Sequence, residues 1–102
     1  MIDKIISVVK ENPKVSDFHL RANCPFSYRL LGEITILEGE MIKNEDIDEL
    51  LNKYCSKSDV ELFNSKNELD SGFMLDNMRF RANFYKTLKG SAVVLRKVET
   101  KI

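Results

Sequence analysis

Residues 78–98 read MRFRANFYKTLKGSAVVLRKV, and apolar and polar side chains alternate on both sides of a single glycine, Gly90. A period of two on either side of a turn residue predicts a β-hairpin. A turn over residues 87–90 places Arg81 opposite Arg96, whereas a turn one residue longer or shorter moves one of the two to the other face of the sheet. The turn therefore decides whether these two arginines share a face.

The arginines of this hairpin have two interpretations. Arg79, Arg81 and Arg96 can form a solvated face that pairs with acidic residues elsewhere in the chain. Alternatively, rigid strands that carry guanidinium groups suit bidentate binding of phosphate or carboxylate. Two arginines in direct opposition repel each other unless an anion or a carboxylate lies between them. The spacing alone leaves both interpretations open.

The rest of the sequence predicts the order helix, three strands, two helices, three strands. An apolar stripe at helical spacing predicts a first helix over residues 2–12, and strict alternation predicts a strand over residues 16–21. Asp76 and Asn77 predict a tight turn before the hairpin. Strands in runs that helices separate favour an α+β domain with an antiparallel sheet of about six strands, rather than a doubly wound parallel sheet.

Capping patterns mark the two central helices. Asn44, followed by two acidic residues, predicts the N-cap of the second helix. Ser58 with Glu61 three residues later has the pattern of a capping box for the third. Leu62 and Phe63 of this helix are predicted to face the core.

Composition bounds the class of protein. The 102 residues, 43% apolar and 31% charged, predict one globular domain over residues 1–102. Net charge is zero, but residues 38–76 hold eleven acidic and four basic residues, and residues 77–102 hold one acidic and seven basic residues. Such polarity can steer an anionic ligand or a contact between copies.

The sequence also disfavours a membrane or secreted protein and a nucleic-acid-binding protein. No apolar run has the length of a membrane span and the N-terminus lacks a signal-peptide pattern, so the cytoplasm is the expected location. The zero net charge argues against a nucleic-acid partner. Basic and aromatic side chains do interleave on the hairpin, at Arg79, Phe80, Arg81, Tyr85 and Lys86.

The sequence lacks the common catalytic motifs. It contains no GxxxxGK[ST] phosphate loop, and one histidine with two distant cysteines does not supply a zinc site. Cys24 with His19 is the only nucleophile–base combination, and no third group orients it. His19 is predicted to be a half-buried strand residue and Asp17 to cap a turn or a strand edge. We therefore predict no catalytic residue and no metal site within the chain.

Four stretches follow one another in the order and approximate spacing of a known family. They are SDFHL (16–20), Pro25 with RLLG (29–32), LDSGF (69–73), and RFRAN (79–83) with Gly90, Arg96 and Val98. Family signatures SDLHL, P…R.DG, DFSF and RFRVN…G…V.R.IP correspond to them. Over nearly its whole length the chain resembles the N-terminal domain of the type II/type IV secretion ATPase superfamily, in particular the PilT-type retraction ATPases of type IV pili.

This resemblance implies a PAS-like domain of a hexameric motor for twitching motility, whose C-terminal P-loop domain lies outside this chain. The chain alone is then not an enzyme and needs no cofactor, whereas the full-length protein binds ATP and Mg. Arg81 and Arg96 match arginines that reach the phosphates of that ATP, and Arg79 is a weaker candidate. The implied partners are the C-terminal ATPase domain and a neighbouring subunit, at the inner face of the membrane without insertion into it.

The sequence also departs from the family pattern. Leu31 stands where the family usually has Asp, Phe18 replaces an aliphatic residue, and residues 98–100 lack the proline that follows the last strand. An excised domain and a stand-alone relative both fit the length. The alternative function is therefore a stand-alone PAS-like module that binds a small ligand or a partner. This domain does not distinguish retraction from extension or secretion.

Overall fold

The computed structural model describes residues 1–99, so the last three residues of the predicted domain lie outside the described residues. Its elements are α1 (Ile2–Glu11), β1 (Val15–Arg21), β2 (Pro25–Leu30), β3 (Glu33–Met41), α2 (Asn44–Tyr54), α3 (Lys57–Lys66), β4 (Glu68–Leu75), β5 (Met78–Thr87) and β6 (Gly90–Lys97). Six antiparallel strands form one sheet in the order β3-β2-β1-β6-β5-β4. The α+β fold class and the element order predicted from the sequence are confirmed.

Tight turns set the register of two hairpins. Asp76 and Asn77 have φ of 47° and 66°, and Leu31 and Gly32 have φ of 52° and 82°. Positive φ at both central residues matches the right-handed twist of the strands that such turns join. Leu31 is unusual there, because a branched apolar residue rarely adopts the left-handed region. The β4–β5 hairpin pairs regularly from Glu68 to Leu75, whereas the register of β2 and β3 shifts between Pro25 and Phe26.

The helices cover one face of the sheet and leave the other open. Cross-strand partners Phe18 and Leu95, and Ala82 and Leu95, share the covered face. They belong to a single buried cluster together with the apolar stripe of α1 and with Ile47 of α2. Five phenylalanines of this layer are fully buried: Phe18, Phe26, Phe63, Phe80 and Phe84. The molecule is consequently a two-layer slab, with extents of 36 × 36 × 21 Å.

Three local predictions about the central helices are wrong. Asn44 lies inside α2 rather than at its N-cap, and its side chain instead accepts the Ser91 N–H at 2.8 Å. Ser56 rather than Ser58 caps α3, accepting the Asp59 N–H. Phe63 is buried but Leu62 remains 44% exposed, because adjacent residues point about 100° apart around a helix.

The three helices are ten or eleven residues long. Within residues 1–99, none of them has the length and apolar character needed to cross a bilayer.

Candidate functional site

A row of charged side chains crosses the open face of the sheet. Arg29 of β2 pairs with Asp17 of β1, Asp17 pairs with Arg96 of β6, and Arg96 pairs with Arg81 of β5. Directly opposed residues of antiparallel strands have Cα atoms about 4.5–5.5 Å apart. These four residues, here called the charged row, are therefore neighbours in space although up to 79 positions apart in sequence.

The hairpin register brings the two predicted arginines together. The two-residue turn between Thr87 and Gly90 sets Arg81 directly opposite Arg96 on the open face. Both side chains are exposed, and neither has an ion pair or a hydrogen bond within residues 1–99. Opposed like charges are destabilising. An anion that bound between them would remove this repulsion.

An open depression of about 490 Å³ lies beside this arginine pair. Its lining residues are Asp70, Ser71, Arg81, Ala82, Asn83, Val94 and Arg96. The Asp70 carboxylate accepts a hydrogen bond from the Asn83 amide at 2.9 Å rather than from an arginine. Both guanidinium groups are thus available to a ligand in the depression.

Arg79 lies on the same face but outside this lining. Its cross-strand partner on β4 is Met74. Its Nη2 atom is 3.8 Å from the position that a Cβ on Gly72 would occupy, so the side chain lies over that glycine. The structure therefore separates Arg79 from the pair formed by Arg81 and Arg96.

Asp17 does not cap a turn or a strand edge, contrary to the prediction. A bulge at Ser16 shifts the register, so that Val15 faces the core while Asp17 faces the open side, in the middle of the sheet. Only 8% of Asp17 is exposed. Its Oδ2 atom is 3.6 Å from Arg29 Nε and 3.6 Å from His19 Nε2. The charged row therefore contains a nearly buried carboxylate.

His19 is a half-buried strand residue, as predicted. Its Nε2 atom is buried and has no hydrogen-bond partner among the described residues. Its backbone carbonyl accepts a hydrogen bond from the Ser27 hydroxyl at 3.0 Å. No hydrogen bond joins it to Cys24 within residues 1–99, so the structure does not assemble the nucleophile–base combination considered from the sequence.

The two cysteines are separate free thiols, both partly buried. Burial raises the pKa of the Cys55 thiol, a nearby Ser71 hydroxyl at 3.6 Å acts in the opposite direction, and the Asp59 charge raises it further. A raised pKa disfavours the reactive thiolate. Within residues 1–99, no three His, Cys, Asp or Glu side chains converge as metal ligands would.

Sequence reasoning did not single out Arg29 as a site residue. The available signal was its alternation on β2, which gives it the same face as Ser27. That alternation could not indicate its neighbours, because the pairing of β2 with β1 and of β1 with β6 is needed to align Arg29, Asp17 and Arg96.

Comparison with family models and with curated proteins gives no match. Solved structures do match. The pilus retraction motor PilT with bound ADP superimposes with a TM-score of 0.79 and 25% identity, covering 96% of this chain and 30% of PilT. The ATPase DotB of Legionella pneumophila superimposes with a TM-score of 0.78 and 17% identity, covering 98% of this chain and 29% of DotB. The ATPase DotB of Yersinia pseudotuberculosis superimposes with a TM-score of 0.75 and 14% identity, covering 96% of this chain and 29% of that protein.

The fold is that of the N-terminal region of secretion ATPases, which confirms the resemblance drawn from the sequence motifs. Among these structures, PilT shares one residue in four with the chain, whereas the two DotB structures show likeness of fold alone. The chain spans about 30% of the length of these relatives. It is thus similar to an accessory domain of a PilT-type ATPase.

Proposed function

We propose that this chain is the regulatory and assembly domain of a hexameric type IV pilus motor ATPase. In this proposal Arg81 and Arg96 contact the phosphates of ATP bound by the ATPase domain, and the domain moves relative to that ATPase domain when nucleotide binds. Its partners are the ATPase domain and a neighbouring subunit of the ring, in the cytoplasm. Pilus retraction is the activity that it would regulate.

One observation carries this proposal: Arg81 and Arg96 oppose each other with no counter-ion among residues 1–99, at the edge of an open depression. Guanidinium groups on rigid strands bind phosphate oxygens in a fixed geometry. Each guanidinium also offsets negative charge that develops when the γ-phosphoryl group leaves. The similarity to PilT, a retraction motor that holds ADP, supports a nucleotide as the source of those phosphates.

The sequence contains no GxxxxGK[ST] loop, the element that holds nucleotide phosphates in P-loop ATPases. The proposal therefore assigns ATP and Mg²⁺ binding to the ATPase domain and limits this chain to supplying arginines. Arg79 takes the smaller part, since its side chain lies over Gly72 and away from the depression.

The test joins residues 1–102 to an ATPase domain of the PilT type and measures turnover at saturating ATP. We expect Arg81→Ala and Arg96→Ala each to lower turnover by about 10²-fold or more, as loss of a charge-stabilising donor does. Arg79→Ala should have a smaller effect. Arg21→Ala is the matched control, because Arg21 is exposed on β1 and does not line the depression. Unchanged turnover in both the Arg81 and Arg96 variants would refute the proposal.

A second candidate function follows from the size of the depression. Its volume of about 490 Å³ is that of a small-molecule site, so a stand-alone PAS-like module could bind a small anion there. Mass spectrometry of the protein purified under native conditions distinguishes the two candidates. A small anion that co-purifies with the wild-type chain but not with Arg81→Ala would favour the second.

A further inference from the structure

The charged row holds one carboxylate among three arginines. Asp17 has an arginine directly opposite it on each neighbouring strand, Arg29 on β2 and Arg96 on β6. Strands lie about 4.7–4.9 Å apart on both sides, so the backbone offers Asp17 the two partners equally. Which arginine neutralises Asp17 is therefore decided by the side chains.

The Asp17 carboxylate is directed to one of the two. Its Oδ2 atom lies 3.6 Å from Arg29 Nε, and the other side chain near it, His19, is on its own strand. No ion pair joins Asp17 to Arg96 in the part of the chain that the structure describes. Arg96 is left without a counter-ion although a carboxylate is its direct neighbour.

Arg29 is fixed at a second point. Its Nη1 atom donates a hydrogen bond of 3.0 Å to the carbonyl oxygen of Gly32, in the turn between β2 and β3. A guanidinium group that is held both by a carboxylate on a neighbouring strand and by a backbone carbonyl in a turn is less free to move than one with a single ion pair. Arg29 can therefore hold the Asp17 carboxylate toward β2.

A nearly buried carboxylate needs a positive partner, because leaving such a charge uncompensated is costly. If Arg29 lost its charge, Arg96 would be the nearest arginine that could replace it. The resulting pair would neutralise Arg96 and weaken the anion site that Arg96 forms with Arg81.

We infer that Arg29 and Asp17 are positioning residues: Arg29 holds the Asp17 carboxylate away from Arg96 and so keeps Arg96 free to bind an anion. This inference rests on the proposed function of Arg81 and Arg96. Arg29 affects anion binding without touching the anion.

The experiment titrates the full chain with inorganic pyrophosphate at about 0.15 M salt, where charges more than about 8 Å apart are largely screened. Arg29→Met should weaken pyrophosphate binding by about tenfold, and Arg21→Met, which removes the same charge from the same face, by about twofold. The double variant Asp17→Asn with Arg29→Met should regain the wild-type affinity, because no carboxylate remains to capture Arg96. The double variant Asp17→Asn with Arg21→Met has the same net charge as the wild type. Its pyrophosphate affinity should rise over that of Arg21→Met only by the roughly twofold effect of that charge.

A second readout needs no anion. The ¹H–¹⁵N resonance of Arg96 Nε should shift in Arg29→Met, shift back in the double variant, and stay unchanged in Arg21→Met. Equal loss of affinity in Arg29→Met and Arg21→Met, with an unmoved Arg96 resonance, would overturn the inference while leaving the proposed function intact. If wild-type protein binds pyrophosphate no more tightly than Arg81→Ala does, Arg81 and Arg96 form no anion site in this chain and the inference is overturned. The proposed function is refuted separately, by unchanged ATP turnover in the Arg81→Ala and Arg96→Ala variants of the joined protein.

Discussion

Arg81 and Arg96 are direct cross-strand partners on the open face of the sheet, and neither guanidinium group has a counter-ion among residues 1–99. Like charges in direct opposition destabilise a sheet. Asp17 lies directly opposite Arg96 on β1, but among residues 1–99 its carboxylate pairs with Arg29 and not with Arg96. The pair is thus costly to the domain alone, as expected of residues that bind an external anion.

Arg81→Gln should stabilise the isolated chain by about 0.5 kcal/mol, because it removes one member of the repelling pair and keeps a long side chain. Urea unfolding at low salt measures the difference, and about 1 M salt should reduce it. Arg79→Gln is the control, since Arg79 faces Met74 rather than another arginine. An equal gain in Arg79→Gln would show that repulsion between Arg81 and Arg96 is not the cause.

Gly90→Ala should destabilise the domain by about 2 kcal/mol or more. Gly90 has φ of 133°, and a Cβ there would lie 2.6 Å from Asn44 Oδ1, the atom that binds the Ser91 N–H of β6. Gly39→Ala is the matched control, because Gly39 has φ of 88° but no atom within 4 Å of the added Cβ. Denaturant unfolding of the two variants should separate the cost of the contact from that of the backbone. Equal losses would mean that the Asn44 contact costs nothing.

Phe63→Ala should release α3 from the sheet, since Phe63 is the only fully buried residue of that helix. Its ring packs edge-on against Phe84, with 6.0 Å between centroids. We expect a loss of about 3–4 kcal/mol of unfolding free energy and faster amide exchange in α3 than in α1. Leu62→Ala, on the exposed side, should cost well under about 1 kcal/mol. Equal protection of α3 in wild type and Phe63→Ala would contradict this assignment.

Cys55 should make stability fall as the pH rises. Burial raises the pKa of its thiol above the ordinary value of 9.0, so the folded state holds this proton more tightly than the unfolded state does. The contribution is complete below pH 9.0 and is lost as the pH rises toward the folded-state pKa. Urea unfolding between about pH 8 and about pH 10.5, under reducing conditions, should show a smaller decline for Cys55→Ala than for wild type. Parallel curves would contradict the prediction.

Local patterns were sufficient for the strands. The alternation of residues 78–98 predicted β5 and β6, but their register depends on the length of the turn, which the sequence left open because a shift of one residue moves a side chain to the other face. Asp76 and Asn77 likewise tolerate the left-handed backbone that their turn needs. The predicted starts of α2 and α3 were wrong, because a polar side chain that could cap a helix can also bind a backbone group of another element, as Asn44 does with the Ser91 N–H.

By itself, then, the sequence determined the α+β class, which follows from short-range periodicity. The structure decided that Arg81 and Arg96 are directly opposed, because that register depends on the length of the hairpin turn. Only the tertiary structure decided which side chains surround Arg81 and Arg96. Alternation with the buried Phe18 and Leu20 puts Asp17 on the open face, and the long-range pairing of β1 with β6 sets it between Arg29 and Arg96. Pairings between strands more than 70 residues apart depend on the packing of the whole sheet, so no local pattern records them.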